Sequence, residues 1–161
     1  MSTVDFDAIM ARYKSLATVG KSVSGPSEIA VERTERELGL KLPPSFVRFL
    51  RESGGKRPPF WDVHPLLANR DERKLDFVRA NELEHDHELG ANPLPAHYYT
   101  FRTTGPGDQA CFDTSSARPD GEFPVVLWVH DESAEENLDS PLTWPSFVDW
   151  LDEELDGLDT E

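Results

Sequence analysis

The chain has 161 residues, 37% of them hydrophobic and 29% charged, and a formal net charge of −15. That is the length of one domain with apolar mass enough for a core. It contains no apolar run near the roughly 18 residues that a membrane-spanning helix needs.

The acidity is uneven. Through Arg118 there are 17 acids and all 16 bases; from Pro119 onward there are 14 acids and no Lys or Arg. A nearly neutral body therefore carries a strongly acidic last quarter. Nucleic-acid backbones and anionic membranes would be repelled by it, and a basic protein attracted. The same feature also reads as a solubility device or the mark of an acidic proteome. Cys111 is the single cysteine, so no intrachain disulfide forms and a reducing cytoplasm is the expected compartment. The opening "MSTVDFDAIMARYK" lacks a basic segment followed by an apolar block, so no signal peptide is expected.

In chain order, residues 3–17 read as an amphipathic helix. Phe6, Ile9, Met10, Tyr13, Leu16 and Ala17 repeat at helical spacing, and Ser2 or Thr3 can cap its start. "VGKSVSGPS" is a linker of turn-formers. A second helix runs from Ser27 to Leu38, capped by Ser24 or Ser27 and closed by Gly39, with a narrow inward stripe of Ala30, Val31, Thr34 and Leu38. In "LGLKLPPSFVRFLRESGG", Leu40 and Leu42 hold the chain extended. Pro43 and Pro44 suit only a first helical turn, where the missing N–H is unpaired anyway. Phe46, Phe49 and Leu50 then share a face, and Gly54 ends the helix. "FWDVHPLL" reads as a short strand near Phe60–Val63. "DERKLDFVRANELEHDHEL" reads as a helix on Leu75, Val78 and Leu83. "HYYTFRTTG" and "QACFDTS" are strands joined by a "GPGD" turn, with Gly105 and Gly107 free to take positive φ. "FPVVLWVH" is a buried or central strand. "DESAEENLDSP" is an acidic loop. "TWPSFVDWLDEEL" is a helix capped by Thr143 or Trp144, with Pro145 in its first turn and Phe147, Val148, Leu151 and Leu155 inward. Helices first, then strands, then a helix indicate an α+β domain with a mostly antiparallel sheet.

Chemistry-bearing clusters are few. In "EHDHE", His85 and His87 lie about 200° apart on a helix and cannot share a metal. Asp108 and Asp113 are an odd number of residues apart, which on one strand puts them on opposite faces; Asp108 is a turn residue. Cys111, with His97 and His130 elsewhere, could form a thiol site, but it sits mid-strand with no cation beside it. "GPGD" is followed by no helix to cradle a phosphate, and "RDERK" is diluted by its acids. No catalytic site, cofactor site or metal site is expected, and the absence favours a binding protein.

The elbow carries a resemblance. Val31, Glu35, Leu38 and Gly39, followed by Leu42, Pro43, Phe46, Phe49, Leu50, Gly54 and Gly55, are similar to the SUKH superfamily of Smi-like and Knr-like proteins. "GPGDQACFD" resembles that family's Gly-Asp hairpin, "FPVVLWVHDE" its late strand and "SFVDWL" its C-terminal helix. Gln109 departs from the pattern, which more often has an aromatic there. The resemblance divides the chain into an N-terminal helix and linker over 1–23, a SUKH-like domain over 24–156 and an acidic end over 157–161. It implies one curved sheet flanked by helices. It also implies a bacterial immunity protein that neutralises a cognate toxin, often a nuclease, of a polymorphic toxin system. The alternative it leaves is a non-enzymatic scaffold or regulator bound to a housekeeping protein. Toxins that bind phosphates are generally basic, so the acids before the last helix become the expected contact: Asp131, Glu132, Glu135, Glu136 and Asp139. Trp144 or Trp150 is then a candidate aromatic anchor, with core packing the competing reading.

Overall fold

The apolar repeat at the N-terminus forms α1, Phe6–Leu16, in a computed structural model that describes residues 4–88 and 92–159. Asp5 caps this helix by accepting from the Asp7 N–H; Ser2 and Thr3 lie outside the described residues. Ile9, Met10 and Tyr13 are its buried face. α2, Glu28–Leu38, starts at Ser27, whose hydroxyl accepts from the Ala30 N–H, and stops at Gly39 in the left-handed conformation. That end is where a glycine is needed, because a β-carbon disfavours positive φ.

The proline elbow then turns the chain into α3, Pro44–Ser53. The Leu42 N–H donates to a Glu35 carboxylate oxygen at 2.7 Å, so α2 itself fixes the elbow. Pro43 offers no side-chain cap. Glu122, from the far side of the chain, accepts from both the N–H and the hydroxyl of Ser45. A carboxylate thus meets the positive end of α3. Phe46 is wholly buried and meets Phe77, Phe101, Phe112 and Phe147 at ring-centroid distances of 5.2–5.8 Å. This aromatic knot is the centre of the core, and the elbow exists to place it.

Two predicted elements change in the middle of the chain. Residues 60–63 form no strand. Pro58, Pro59 and Pro65 strip donors from this stretch; only the His64 N–H reaches the sheet, at the Phe101 carbonyl. Phe60 swings out at φ 59° while Trp61 is buried. The long helix expected over "DERKLDFVRANELEHDHEL" shrinks to α4, Phe77–Glu84. Asp71 folds "DERK" into a turn by accepting from the Arg73 N–H, and Asp76 caps the helix by accepting from the Arg79 N–H. The inward face is Phe77, Val78, Ala80 and Asn81, while Leu75 is exposed. Arg33 reaches from α2 to Asp76 at 3.1 Å and to the Leu67 carbonyl, a buried clamp between α2 and α4.

The sheet is an open meander. β1 (Tyr98–Thr103), β2 (Gln109–Asp113), β3 (Val125–Trp128) and β4 (Thr143–Trp144) pair antiparallel in that order. β1 and β2 form the expected hairpin; of its turn glycines only Gly107 takes positive φ. β3 lies inside the sheet with three of its four residues buried. The acidic stretch after it contains a short helix, α5 (Ala134–Asp139), rather than only loop. The last helix, α6 (Phe147–Asp159), begins after Pro145, not around it. Thr143 and Trp144 are strand instead of cap, and the Ser146 hydroxyl faces the Asp149 N–H at 3.4 Å. α1 and α3 both pack on α6. Helices and an open antiparallel sheet together make the chain α+β.

Candidate partner-binding surface

Where β3 ends, two side chains turn the backbone into a shelf. The His130 N–H and ring Nδ1 both lie on one Asp108 oxygen, at 3.0 and 2.8 Å. Partial burial works to raise the Asp108 carboxyl, and the bonds from His130 outweigh it, leaving the group below its ordinary value. The same bond, chiefly, holds the His130 imidazole above its ordinary value. Asn137, on α5, is buried and folds back on β3. Its Oδ1 accepts from the Val129 N–H at 2.8 Å; its Nδ2 sits 3.0–3.3 Å from the carbonyls of Val129, Ser133 and Glu132. Ser133 caps α5 by accepting from the Glu136 N–H, and its own hydroxyl donates to the Glu136 carboxylate. That Ser-x-x-Glu pattern is the sequence form of a capping box, of which the hydroxyl-to-N–H half is made here while the carboxylate takes the hydroxyl instead of the Ser133 N–H. It was present in the sequence as "SAEE" and is the signal that would have found α5. Asn137 had no comparable signal, because a buried amide cannot be told from a surface one by spacing.

The shelf presents Asp131, Glu132, Glu135, Glu136 and Asp139, all exposed. Among the described residues, no Lys or Arg nitrogen lies within 4.0 Å of any of them, whereas other acids of the last quarter are occupied. Asp152 and Asp156 hold Arg12 at 3.2 and 2.5 Å. Asp120 holds Arg118, and Glu122 caps α3. Glu154 accepts the Trp61 indole N–H and Glu153 that of Trp144. The acidic quarter therefore divides into structural acids and a set without counter-cations gathered around α5.

Beside this set lies an open concavity of about 750 Å³. Pro93, Leu94, Pro95, Trp128, Ala134 and Leu138 line it, with Asp131, Glu132 and His130 among its polar lining. The Trp128 indole N–H is buried and has no acceptor among the described residues. Trp144 does not line this concavity; it is half-buried on β4, its indole turned to Glu153. Trp150 is 2% exposed and packs on Phe101, Trp61 and Phe147, so it is core and cannot anchor a partner. Sequence reasoning missed Phe60, the most exposed large apolar side chain among the described residues.

The remaining candidates are spent on structure. Cys111 is wholly buried, and burial pushes its thiol well up. The His85 ring bonds the Tyr98 carbonyl at 2.6 Å, while His87 lines the concavity. Asp113 caps a 3-10 turn through Ser115, apart from the Asp108–His130 pair. Among the described residues, no group of three or more His, Cys, Asp or Glu side chains could hold a metal ion. No helix of those residues is long and apolar enough to cross a membrane. Gln109 is buried, and its Oε1 accepts the hydroxyls of Thr100 and Thr103 at 2.6 and 2.9 Å. An amide here ties β1 to β2 through hydrogen bonds.

Comparison with known proteins agrees with this architecture. A crystal structure of a protein from Pseudomonas syringae pv. tomato superposes with a TM-score of 0.60 at 15% sequence identity, covering 91% of this chain and 96% of that one. At that identity the likeness speaks for the fold alone. A search of curated proteins returned no match. The profile described as the SMI1 / KNR4 family (SUKH-1) matches residues 25–153, a span that runs from the linker before α2, through the elbow and the sheet, into α6. On that match the chain belongs to the SMI1 / KNR4 (SUKH-1) family.

Proposed function

We propose that this chain is an immunity protein that binds a cognate toxin of a polymorphic toxin system in the cytoplasm and neutralises it by occlusion, without cofactor or catalysis. The partner is a basic protein, and nucleases are the class whose phosphate-binding surfaces have that charge. Family membership supplies the frame. The observation that carries the reading is the set of five carboxylates around α5 that, among the described residues, no Lys or Arg pairs with. Glu136 also accepts the Ser133 hydroxyl at the start of α5, but among the described residues no Lys or Arg balances the charge of any of the five. Left free in one place, they create a field that steers a basic surface and speeds association by about 10–10³-fold at low salt. The apolar floor next to them suits the aliphatic stem of a partner Lys or Arg, whose charged end meets Asp131 and Glu132. Trp144 stands off this patch and serves as a secondary contact on β4.

The test is capture from the host lysate with the full chain as bait, washed at low and then high salt. A basic polypeptide that is toxic when expressed alone, and is released by salt, supports the reading. Co-expression should then restore growth, and Glu135→Lys with Asp139→Lys should abolish the rescue. Capture of only housekeeping proteins would replace immunity with a scaffolding role.

A further inference from the structure

Residues 19–27 form a strap across the C-terminal end of α3. Val19 bridges Arg57, and the Val23 N–H donates to the Gly54 carbonyl at 2.8 Å. Gly25 presses so closely that a β-carbon there would lie 2.5 Å from the Arg51 Cα, so only glycine fits. On the other side, the 62–68 segment is tied to the frame: the His64 N–H donates to Phe101 and the Phe77 N–H to the Pro65 carbonyl. Between these walls lies a cavity of about 420 Å³, within the roughly 300–1,000 Å³ typical of small-molecule sites. Its apolar lining includes Tyr13, Ala30, Phe49 and Leu66, all buried.

Arg57 lines the cavity and is half-buried. Its guanidinium makes one long hydrogen bond, to the Pro58 carbonyl at 3.5 Å. Among the described residues, seven of the eleven arginines hold a carboxylate within 4.0 Å, and Arg57 is one of the four that do not, the one of them that lines this cavity. Lys56 adds a second cation and Asp62 a single acid. The lining is therefore net positive in a strongly negative molecule. The capped start of α2, at Ser27, opens on the same space with the positive end of its dipole. A fork of donors left over in an apolar cavity matches one planar anion, and Asp62 disfavours a second negative charge.

We propose that this cavity binds a small amphipathic monocarboxylate, its apolar body against Phe49 and Leu66 and its carboxylate on Arg57. The site is independent of the α5 surface and of the immunity reading. The probes are 4-phenylbutyrate, 4-phenylbutanol and 4-phenylbutylamine, titrated into the full chain by calorimetry and by amide NMR. The carboxylate is expected to saturate at one site, to shift the amides of Ser24, Ala30 and Leu66, and to bind at least about tenfold tighter than the alcohol. Arg57→Gln should bring the carboxylate to the alcohol's affinity and leave the alcohol unchanged. Ala68→Phe, which fills the cavity, should remove both. Amine binding as tight as the carboxylate, shifts located elsewhere, or no saturable binding by any probe would overturn the proposal. So would an Arg57→Gln chain that keeps the wild-type preference. Should that variant not fold, the wild-type ratio of carboxylate to amine decides.

Discussion

At Phe60 the backbone lies at φ 59°, on the left-handed side that a β-carbon disfavours, and the ring stands fully in solvent. Neither feature lowers the free energy of the folded chain by itself. Left-handed backbone costs an L-residue roughly 1–2 kcal/mol. Phe60→Gly should therefore be more stable than Phe60→Ala, which keeps the β-carbon, by about 1 kcal/mol in urea unfolding. Equal stabilities would mean that the turn relaxes. The His130–Asp108 pair is the other residue-scale feature with a readout. The raised imidazole contributes stability that is fully present below its unfolded pKa and is lost as pH rises through the folded value. The depressed carboxyl contributes stability present above its unfolded pKa and lost as pH falls through the folded value. The pair is thus strongest between the ordinary carboxylate and imidazole ranges. An NMR titration should place His130 above about 6.5, and Asp108→Asn should bring it back down. A His130 midpoint unmoved by that substitution would break the assignment.

Among the elements, those with punctuation were legible and those without it were not. Ser27 and Gly39 bracket α2, and Pro43, Pro44 and Gly54 bracket α3, so both helices read correctly from end to end. The strand expected at 60–63 failed because its aromatic and β-branched residues were weighed without the three prolines that deny it partners. The overlong helix at 71–89 failed because Asp71 and Asp76 make local bonds to backbone N–H groups that compete with the helix ladder. Arg33 falls outside the inward stripe expected for α2, yet it is buried on Asp76, and a charge that inserts between helices leaves no periodic trace. Asp76→Ala should cost about 2 kcal/mol, because it removes the buried counter-charge of Arg33, leaving it only the half-exposed Glu37 and the Leu67 carbonyl, and removes the α4 cap. Arg33→Met combined with Asp76→Leu should recover most of that loss. Thermal and urea unfolding of the three chains decide it, and a double variant no better than the single one would rule out desolvation as the cause.

Across the whole molecule, the acidic last quarter was visible in composition, but its division was not. Counting showed 14 acids without a base; only the fold shows that Arg12, 140 residues from Asp152 in sequence, reaches over to neutralise part of α6. The two sets should respond oppositely to neutralisation. Asp152→Asn with Asp156→Asn should lower stability by up to about 1 kcal/mol, since these exposed pairs are weak. Glu135→Gln with Asp139→Asn should leave stability unchanged or raise it slightly by relieving repulsion. Identical effects from both pairs, measured at low salt, would erase the distinction on which the candidate surface rests. The candidate acids themselves were named from sequence, through charge and the family resemblance. The shelf that gathers them was not, because it depends on Asn137 and on a hairpin aspartate reaching the end of β3.

The open sheet has a further consequence at its two borders. An unpaired strand edge invites another chain to add on and begin aggregation. Here one border is β4, only two residues long and followed at once by Pro145. The other is β1, flanked by the proline-rich 58–65 segment, which takes one of its carbonyls through His64 and offers few donors of its own. Neither border gives an incoming strand a ladder to extend. A chain built this way disfavours edge-to-edge addition, and β4, short as it is, keeps the longer and more buried β3 from being an edge.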